Sequence, residues 1–566
     1  MEDPKAALTI GAWVRALASR YENEEAIVGP RQHLSFRALE VQSAIWARGL
    51  LARGVGKGSR IGLWLGNGTE WMVAFAAVTR IGAVAVPIST FYKGAELARV
   101  VRHADLEGIV VQQPFLGEDM LARFETAFPE VAEVTGPTWA IPAAPSLRWI
   151  VAIGKGESLH PWAAPAGWLR SGAGDRLFSP QLLAAAEAEV GPDDAAIMIY
   201  TSGSTADPKG VPHSHRTVMT KTHYLREWLP IADGTRSYTA SPFFWVGGLT
   251  MSLLPVLDGG GTQLCTDRFD AGEVLAMIEN ERVDRAYLYP HHVNAMLEHP
   301  ALSATDRSSL READPRLLAR PVEGPSAEHL LIGLGMTETF GGYWWGRPGS
   351  VVDTTPLRPG ERRPPPLDVL QPGVELKVVG PDGEPVEDGG TGEICLRGSC
   401  VTLGLHKLPR QDSFDAEGFF HTGDRGQVVG SQVYFRGRLG DMIKTAGANV
   451  APAEVANALR ALPGVEEAYV YGRPDELKGE VVVAAIVPEP GALVQVDALT
   501  TALRGQISAF KVPSRMAVFT REEIPWTPSH KVRGARLAEL IDERTVGAPL
   551  ADRDPSDQGR RVASGA

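Results

Sequence analysis

The sequence predicts an α/β protein: a large N-terminal domain of α/β-layered sheets with a small β-rich subdomain, then a small α/β C-terminal domain. Three observations carry this. Short apolar runs alternate with amphipathic helical stretches over the first 115 residues and again near residues 195–290, the pattern of a mostly parallel sheet covered by helices. From about residue 370 the texture changes to short alternating apolar segments broken by a Pro-Asp-Gly turn. Beyond about residue 437 strand and helix patterns return. A chain of 566 residues has room for several domains.

In order, EEAIVG reads as a strand, and Ser35 caps the amphipathic helix FRALEVQSAIWARGLLARG. RIGLWLG is a second strand, TEWMVAFAAVTRIG a helix and AVAVPI a third strand. Residues 137–175, rich in Pro, Ala, Gly and Trp, read as a long surface excursion. AAIMIY resumes the alternation, followed by GGTQLC, a helix over about 270–280, and RAYLY. VELKVVGPDGEPVEDGGTGEICLRG opens the β-rich subdomain, placed at about 370–437 of an N-terminal domain spanning 1–437. The C-terminal domain, 438–548, holds the helix PAEVANALRAL, the strands EEAYVYG and EVVVAAIV, and the helix DALTTALRGQI. The polar tail 549–566 has too little apolar content to order itself.

Composition narrows the function. Apolar residues are 44% and charged residues 22%, an ordinary globular balance. A net charge of −12 and a pI near 5.6 lack the basic footprint of a nucleic-acid binder. An anionic small ligand stays possible in a local basic pocket. Cys265, Cys395 and Cys400 include no CxxC pair and are too few for a disulfide scaffold; they read as reduced, mostly buried thiols. MEDPKAALTIGAW has neither the basic start nor the apolar core of a signal peptide. WMVAFAAVTRIGAVAVPI, the best membrane candidate, is interrupted by Arg80 and two glycines and reads as helix, turn and strand. A cytoplasmic protein without a membrane span is expected.

YTSGSTADPKG, Tyr200 to Gly210, sets five hydroxyls (Tyr200, Thr201, Ser202, Ser204, Thr205) beside Lys209. It is not a Walker loop, because the lysine precedes the second glycine and no hydroxyl follows it. Backbone amides and hydroxyls of this kind can wrap a polyphosphate while Lys209 neutralises charge. A flexible surface loop is the other reading.

The order of residues in YTSGSTADPKGV resembles the phosphate loop of the adenylate-forming superfamily. Acyl-CoA synthetases, peptide-synthetase adenylation domains and firefly luciferase belong to it. Four further motifs follow in the family's order: GLGMTETF, GFFHTGDRG, FRGRLGDMIKTAGANVAPAEV and IPWTPSHKVRGARL. The likeness runs over roughly residues 8–545. It implies that Thr201, Ser202, Gly203, Ser204, Thr205 and Lys209 hold ATP phosphates. It implies that Thr337 contacts phosphate, that Glu338 ligates Mg²⁺ with Thr205 beside it, and that Asp424 accepts both ribose hydroxyls. Arg438 matches the ribose and phosphate arginine. Gly440 stands at the hinge of a mobile C-terminal domain, where Asp or Lys is usual. Lys444 and Gly447 match positions that face the active site in the family's second conformation. Lys531 matches the lysine that meets the carboxylate and the α-phosphate, with His530 in place of the usual glycine.

Other positions depart from the family. Leu334 stands where an aromatic residue usually packs on adenine, between Gly333 and Gly335, which the resemblance implies line the substrate pocket. The adenine-side Gly-Ala-Pro-like segment is shortened, with VEGPS as a remnant. Arg307, Arg311, Arg316 and Arg320 nearby read as a solvated basic helix, with CoA phosphates as the alternative contact. In SPFFWVGGL, Trp245 replaces a histidine common in acyl-CoA synthetases; with Gly247 it is expected to line the acyl pocket.

The resemblance implies an acid–thiol ligase using ATP, Mg²⁺ and CoA. A carboxylate attacks the α-phosphate, pyrophosphate leaves, and a thiol then displaces AMP from the acyl-adenylate. SAFKVPSRMAVFTREEIPWTPSHK is closer to free-standing synthetases, and no carrier domain follows in this sequence. A ligase that loads a separate carrier protein, and a degenerate homologue that binds without turnover, are the alternatives. The expected partners are a small carboxylic acid and CoA, and a homodimer is compatible.

Overall fold

The computed structural model describes residues 7–134, 139–154, 160–171, 176–201, 209–229, 231–319, 333–346, 369–429, 432–438, 442–526 and 532–545. The chain divides into two compact units. One gathers most of residues 7–439; the other gathers 442–545 with the short segment Phe91–Glu96.

The first unit is built on two sheets whose helices share one core. A seven-stranded sheet runs in the order Ala164–Pro165, Trp149–Ile153, Gly108–Gln112, Arg60–Trp64, Val84–Pro87, Ala195–Thr201, Lys209–Ser214. Every neighbouring pair is parallel except the last, which is antiparallel. The second sheet is ordered Arg285–Tyr287, Arg236–Thr239, Thr262–Cys265, Glu25–Val28, His33–Ser35, again parallel but for its last pair. Ser35 caps helix Phe36–Leu51 as expected, accepting the Ala38 N–H at 3.2 Å. Helix Thr69–Thr79 is buried at every position but Glu70, which explains a sequence apolar all round. Its Trp71 and Phe75 share a core with Trp13, Phe243 and Phe340.

Two expectations change here. The stretch 137–175 is not all surface, because Trp149–Ile153 is a fully buried strand inside the seven-stranded sheet. Its flanking Pro, Gly and Ala had masked a run of five apolar residues. The arginines near 307–316 do not ride on a helix; the segment is turns with a 3₁₀ turn at Pro315–Leu317. Arg307 donates to the Leu317 carbonyl, and Arg316 pairs with Asp314. Arg320 and VEGPS lie outside the described residues.

The β-rich part has a four-stranded antiparallel sheet: Val374–Val379, Thr391–Gly398, Phe420–Val429, Gln432–Arg438. A three-stranded sheet, Gly333–Met336, Gly341–Trp345 and Val369–Leu370, shares its core through Leu334, Met336, Tyr343, Ile394 and Phe420.

In the second unit the order is Ala448–Val450, Ile443–Thr445, Gly479–Pro488, Val465–Asp475, and Arg515–Val518 pairs parallel with Gly479–Pro488. Strand Gly479–Pro488 is buried on both faces. Val482, Ala484 and Ile486 meet helices Pro452–Arg460 and Val496–Gln506, while Val481, Val483 and Ala485 meet helix Gly534–Thr545. That is why EVVVAAIV is continuously apolar. Lys511, 5% exposed, places Nζ 2.6 Å from Glu96 Oε1 and 2.7 Å from Glu454 Oε1. All three cysteines are buried and unbridged. Among the described residues no helix is long and apolar enough to cross a membrane.

Candidate functional site

The stem of the predicted phosphate loop is the antiparallel pair at the edge of the seven-stranded sheet. Thr201 and Lys209 end their strands opposite each other, so the loop opens from adjacent backbone positions. Ser202, Gly203, Ser204 and Thr205 lie outside the described residues. Below the stem, the Tyr200 hydroxyl shares a hydrogen bond with His103 Nδ1 at 2.8 Å. Gly210 is tightly packed: a Cβ there would lie 3.0 Å from Met198 Sδ and 3.1 Å from the Tyr200 ring and His406 Cβ, so these neighbours would have to give by a few tenths of an ångström.

The Thr337–Glu338 turn is tied to this same strand pair. His213, four residues beyond Lys209 and fully buried, donates through Nε2 to the Thr337 carbonyl at 2.7 Å. Burial pushes its pKa down to about 3, against the pull of that carbonyl, so the ring is neutral at pH 7. Its ring lies 5.0 Å from the ring of Phe340, which takes a left-handed backbone (φ 48°) to end the turn. Gly341 follows at φ 99°, where a Cβ would meet Thr250 Oγ1 at 2.6 Å. The Glu338 carbonyl accepts the Thr402 N–H at 2.8 Å, and Thr402 Oγ1 donates to the Pro212 carbonyl at 2.7 Å. Backbone and buried polar groups therefore fix the turn to the strand leaving the loop. Glu338 itself offers a carboxylate, the hard oxygen donor that Mg²⁺ takes.

Strand Gly333–Met336 alternates exposed glycine with buried side chain. Leu334 and Met336 point into the β-rich core, and Gly333 and Gly335 form the other face. Both glycines are required by close approach. A Cβ at Gly335 would sit 2.7 Å from Gly342 Cα, and one at Gly333 2.3 Å from the Trp345 ring. Leu334, expected from the sequence at an adenine-side position, is a core residue here. The neighbouring strand is held by Lys221, fully buried on helix His215–Trp228, which donates to the Gly342 carbonyl at 2.5 Å and to Gln371. Burial lowers its pKa to about 8.

Trp245 precedes a short helical turn, Val246–Gly248, at the end of SPFFW. Asn67 clamps that segment from the first sheet's side, donating to the Ser241 carbonyl at 2.9 Å and accepting the Phe243 N–H at 2.8 Å. Gly247 faces the paired hydroxyls of Ser241 and Tyr289, each 3.9 Å from where its Cβ would be; the hydroxyls are 3.0 Å apart. Tyr289 and Tyr287 have pKa values raised by burial, which keeps both phenols protonated.

Asp424 is 2% exposed on strand Phe420–Val429 and is the cross-strand partner of Arg438. The two expected ribose contacts thus share one register position. In the second unit, Lys444 sits on Ile443–Thr445, and its N–H donates to Glu480 Oε2 at 2.7 Å. Ala446 and Gly447 form the adjoining turn with φ 48° and 84°, the two positive values a type I′ hairpin turn requires. Gly440 and Lys531 lie outside the described residues.

Sequence reasoning missed three supporting residues: His213, Lys221 and Asn67. A polar residue inside an apolar strand or helix is legible, but its partner, up to 176 positions away, is not.

Comparison with known proteins adds the following. The model of the AMP-binding enzymes matches residues 14–406, and that of the AMP-binding enzyme C-terminal domain matches 454–531. The chain is 31% identical to a feruloyl-CoA synthase from Amycolatopsis sp, over 92% of this chain and 97% of that one. It is 28% identical to the indoleacetate–CoA ligase of Aromatoleum aromaticum, over 95% and 99%. Among solved structures, the o-succinylbenzoate CoA synthetase of Bacillus subtilis superposes with a TM-score of 0.69 at 22% identity, over 93% and 98% of the two chains.

Proposed function

The chain belongs to the AMP-binding enzymes, and from that premise we propose that it is an ATP-dependent carboxylic acid–CoA ligase. Its two half-reactions are adenylation and thioester formation. In the first, a carboxylate oxygen of the acid attacks the α-phosphorus of ATP and the bond to the pyrophosphate oxygen breaks. In the second, the CoA sulfur attacks the acyl carbon and AMP departs with the bonding pair. Both steps depend on positioning and on neutralising charge.

The observation that carries the site reading is the His213 bond, which puts the Thr337–Glu338 turn beside the strand that leaves the phosphate loop. We assign Thr201 to Thr205 and Lys209 to the β- and γ-phosphates, Thr337 to phosphate, and Asp424 with Arg438 to the ribose. Glu338, with Thr205, would hold Mg²⁺, which supplies charge neutralisation on the phosphate oxygens. Lys531 serves adenylation; Lys444 and Gly447 serve the thioester step, with Gly440 as the pivot. The corresponding domains are 1–437 and 438–548. Trp245 and Gly247 line the acyl end, where Tyr289 and Ser241 add hydroxyls to an aromatic wall. Such a wall suits an aromatic or other largely apolar acid, and the names of the two relatives place arylpropenoic and indolic acids in a first panel.

The test is pyrophosphate release from MgATP with aromatic, branched and medium-chain acids, with and without CoA. Acid-dependent release, with acyl-CoA formed when CoA is present, is expected. Release without any thioester would move the acceptor to a carrier protein. No release from folded protein with a broad panel would overturn the ligase reading.

A further inference from the structure

The strand pair that presents Asp424 carries three side chains the ligase reaction does not use. Cys395, on Thr391–Gly398, is the cross-strand partner of His421 on Phe420–Val429. Glu393 precedes Cys395 by two residues. Between these two the register slips: Glu393 pairs with Arg425, and Cys395 pairs with His421. The extra residues bulge out of the partner strand around Gly423 (φ 71°), and the slip brings the Glu393 carboxylate to the imidazole. His421 Nδ1 lies 3.5 Å from Cys395 Sγ and 2.9 Å from Glu393 Oε2, and the three donor atoms fall within 4.8 Å of one another.

One imidazole nitrogen cannot serve both neighbours. If Nδ1 carries the proton it donates to Glu393 and leaves no lone pair for the thiol. If it lacks the proton it can accept from the thiol, and its lone pair then opposes the carboxylate. With the proton on Nδ1, the thiol is left only the Glu393 backbone carbonyl, a long 3.9 Å from Sγ, so three potential metal donors converge on one point with the sulfur weakly held. A cation at that point satisfies all three at once. Zn²⁺ bonds of about 2.3 Å to sulfur and about 2.0 Å to nitrogen give a tetrahedral S···N edge of about 3.5 Å. The observed Sγ···Nδ1 distance matches that edge, whereas the 2.9 Å between Nδ1 and Glu393 Oε2 is a hydrogen bond that must open to the N···O edge of about 3.3 Å when the ion enters. Thiolate and imidazole select a borderline-soft ion and disfavour Mg²⁺.

We propose that Glu393, Cys395 and His421 form a binding site for a Zn²⁺-type divalent ion, separate from the nucleotide's Mg²⁺. Cys395 is fully buried, whereas the His421 side chain is 38% exposed, so the fourth position opens on the histidine side to water. Binding expels the thiol proton to solvent as the metal–sulfur bond forms. Glu393 then bridges two tasks: Oε2 meets the ion, while Oε1 keeps the Gly423 N–H at 2.8 Å, next to Asp424.

The experiment is a titration of the untagged full chain, stripped with chelator, with Co²⁺ alone and again with excess Mg²⁺. One equivalent should bind with a thiolate-to-cobalt charge-transfer band in the near ultraviolet. Zn²⁺ should displace it and Mg²⁺ should not. Cys395→Ser should abolish the band, Cys400→Ser should keep it, and His421→Ala should weaken binding at least ~10-fold. His421→Ala alters a partly exposed side chain and carries the test if Cys395→Ser does not fold. No charge-transfer band in the unaltered protein, or Co²⁺ affinity unchanged in His421→Ala, would overturn the proposal.

Discussion

His213 separates positioning from charge. Its neutral ring supplies one N–H to the Thr337 carbonyl. The glutamine amide nitrogen reaches about where Nε2 stands, so His213→Gln should keep adenylation close to the unaltered rate. His213→Ala should lose about 10- to 100-fold in kcat, the worth of one buried hydrogen bond of about 1–3 kcal/mol. Equal losses in the two variants would remove His213 from the positioning role. The same residue sets an acid limit. Burial holds His213 and His292 at about 3 and His215 at about 4, all below the ordinary histidine value. Below about pH 6.5 the unfolded chain takes up these protons and the folded chain does not, so stability falls as pH drops toward 4. Above that window the three contribute no slope. Each histidine adds about 1.4 kcal/mol per pH unit at most. Urea unfolding between pH 7.5 and 5 should show this decline, and His213→Gln should make it shallower; an unchanged slope would refute the assignment. None of this is legible in the sequence. His213 is visible there as a polar residue in a strand, but its partner at Thr337 is not.

At the scale of elements, glycine has two meanings. Gly335 faces the backbone of Gly342 across a strand pair, so Gly335→Ala forces the strands apart and should cost about 1–3 kcal/mol. Gly505, near the end of helix Val496–Gln506, has open space where a Cβ would go, so Gly505→Ala should add up to about 1 kcal/mol of helix propensity. Thermal melts of the two variants should move in opposite directions. A Gly335→Ala melt equal to that of the unaltered protein would mean that the strand pair opens at no cost. The strands and helices themselves were largely readable, from Ser35 as a cap to EVVVAAIV as a strand buried on both sides. Trp149–Ile153 was missed because Pro and Gly around it imitate a loop. The arginine-rich segment, expected as a solvated basic helix, is turns instead, because Asp306, Asp314 and Pro315 shape the backbone there.

For the whole molecule, two units with separate apolar cores predict unfolding in more than one step. Calorimetry should resolve two transitions. Lys511→Met should lower the one that belongs to the second unit, because it leaves the Glu96 and Glu454 carboxylates buried without their cation. Breaking such a pair costs about 3–5 kcal/mol. A single transition, or no shift in either, would contradict this reading. Lys531→Ala should abolish pyrophosphate release and leave thioester formation from a supplied acyl-adenylate nearly intact. Loss of both half-reactions would deny that lysine its separate role. The sequence by itself determined the family, the order of the five motifs and the class of reaction, because those reside in short contiguous runs that can be read without any tertiary contact. Only the tertiary structure decided which buried groups hold those runs in place. His213, Lys221 and Asn67 act on partners more than a hundred residues away, and Glu393, Cys395 and His421 converge through a register slip. Such pairings are set by how strands and helices pack, which no local pattern of residues encodes.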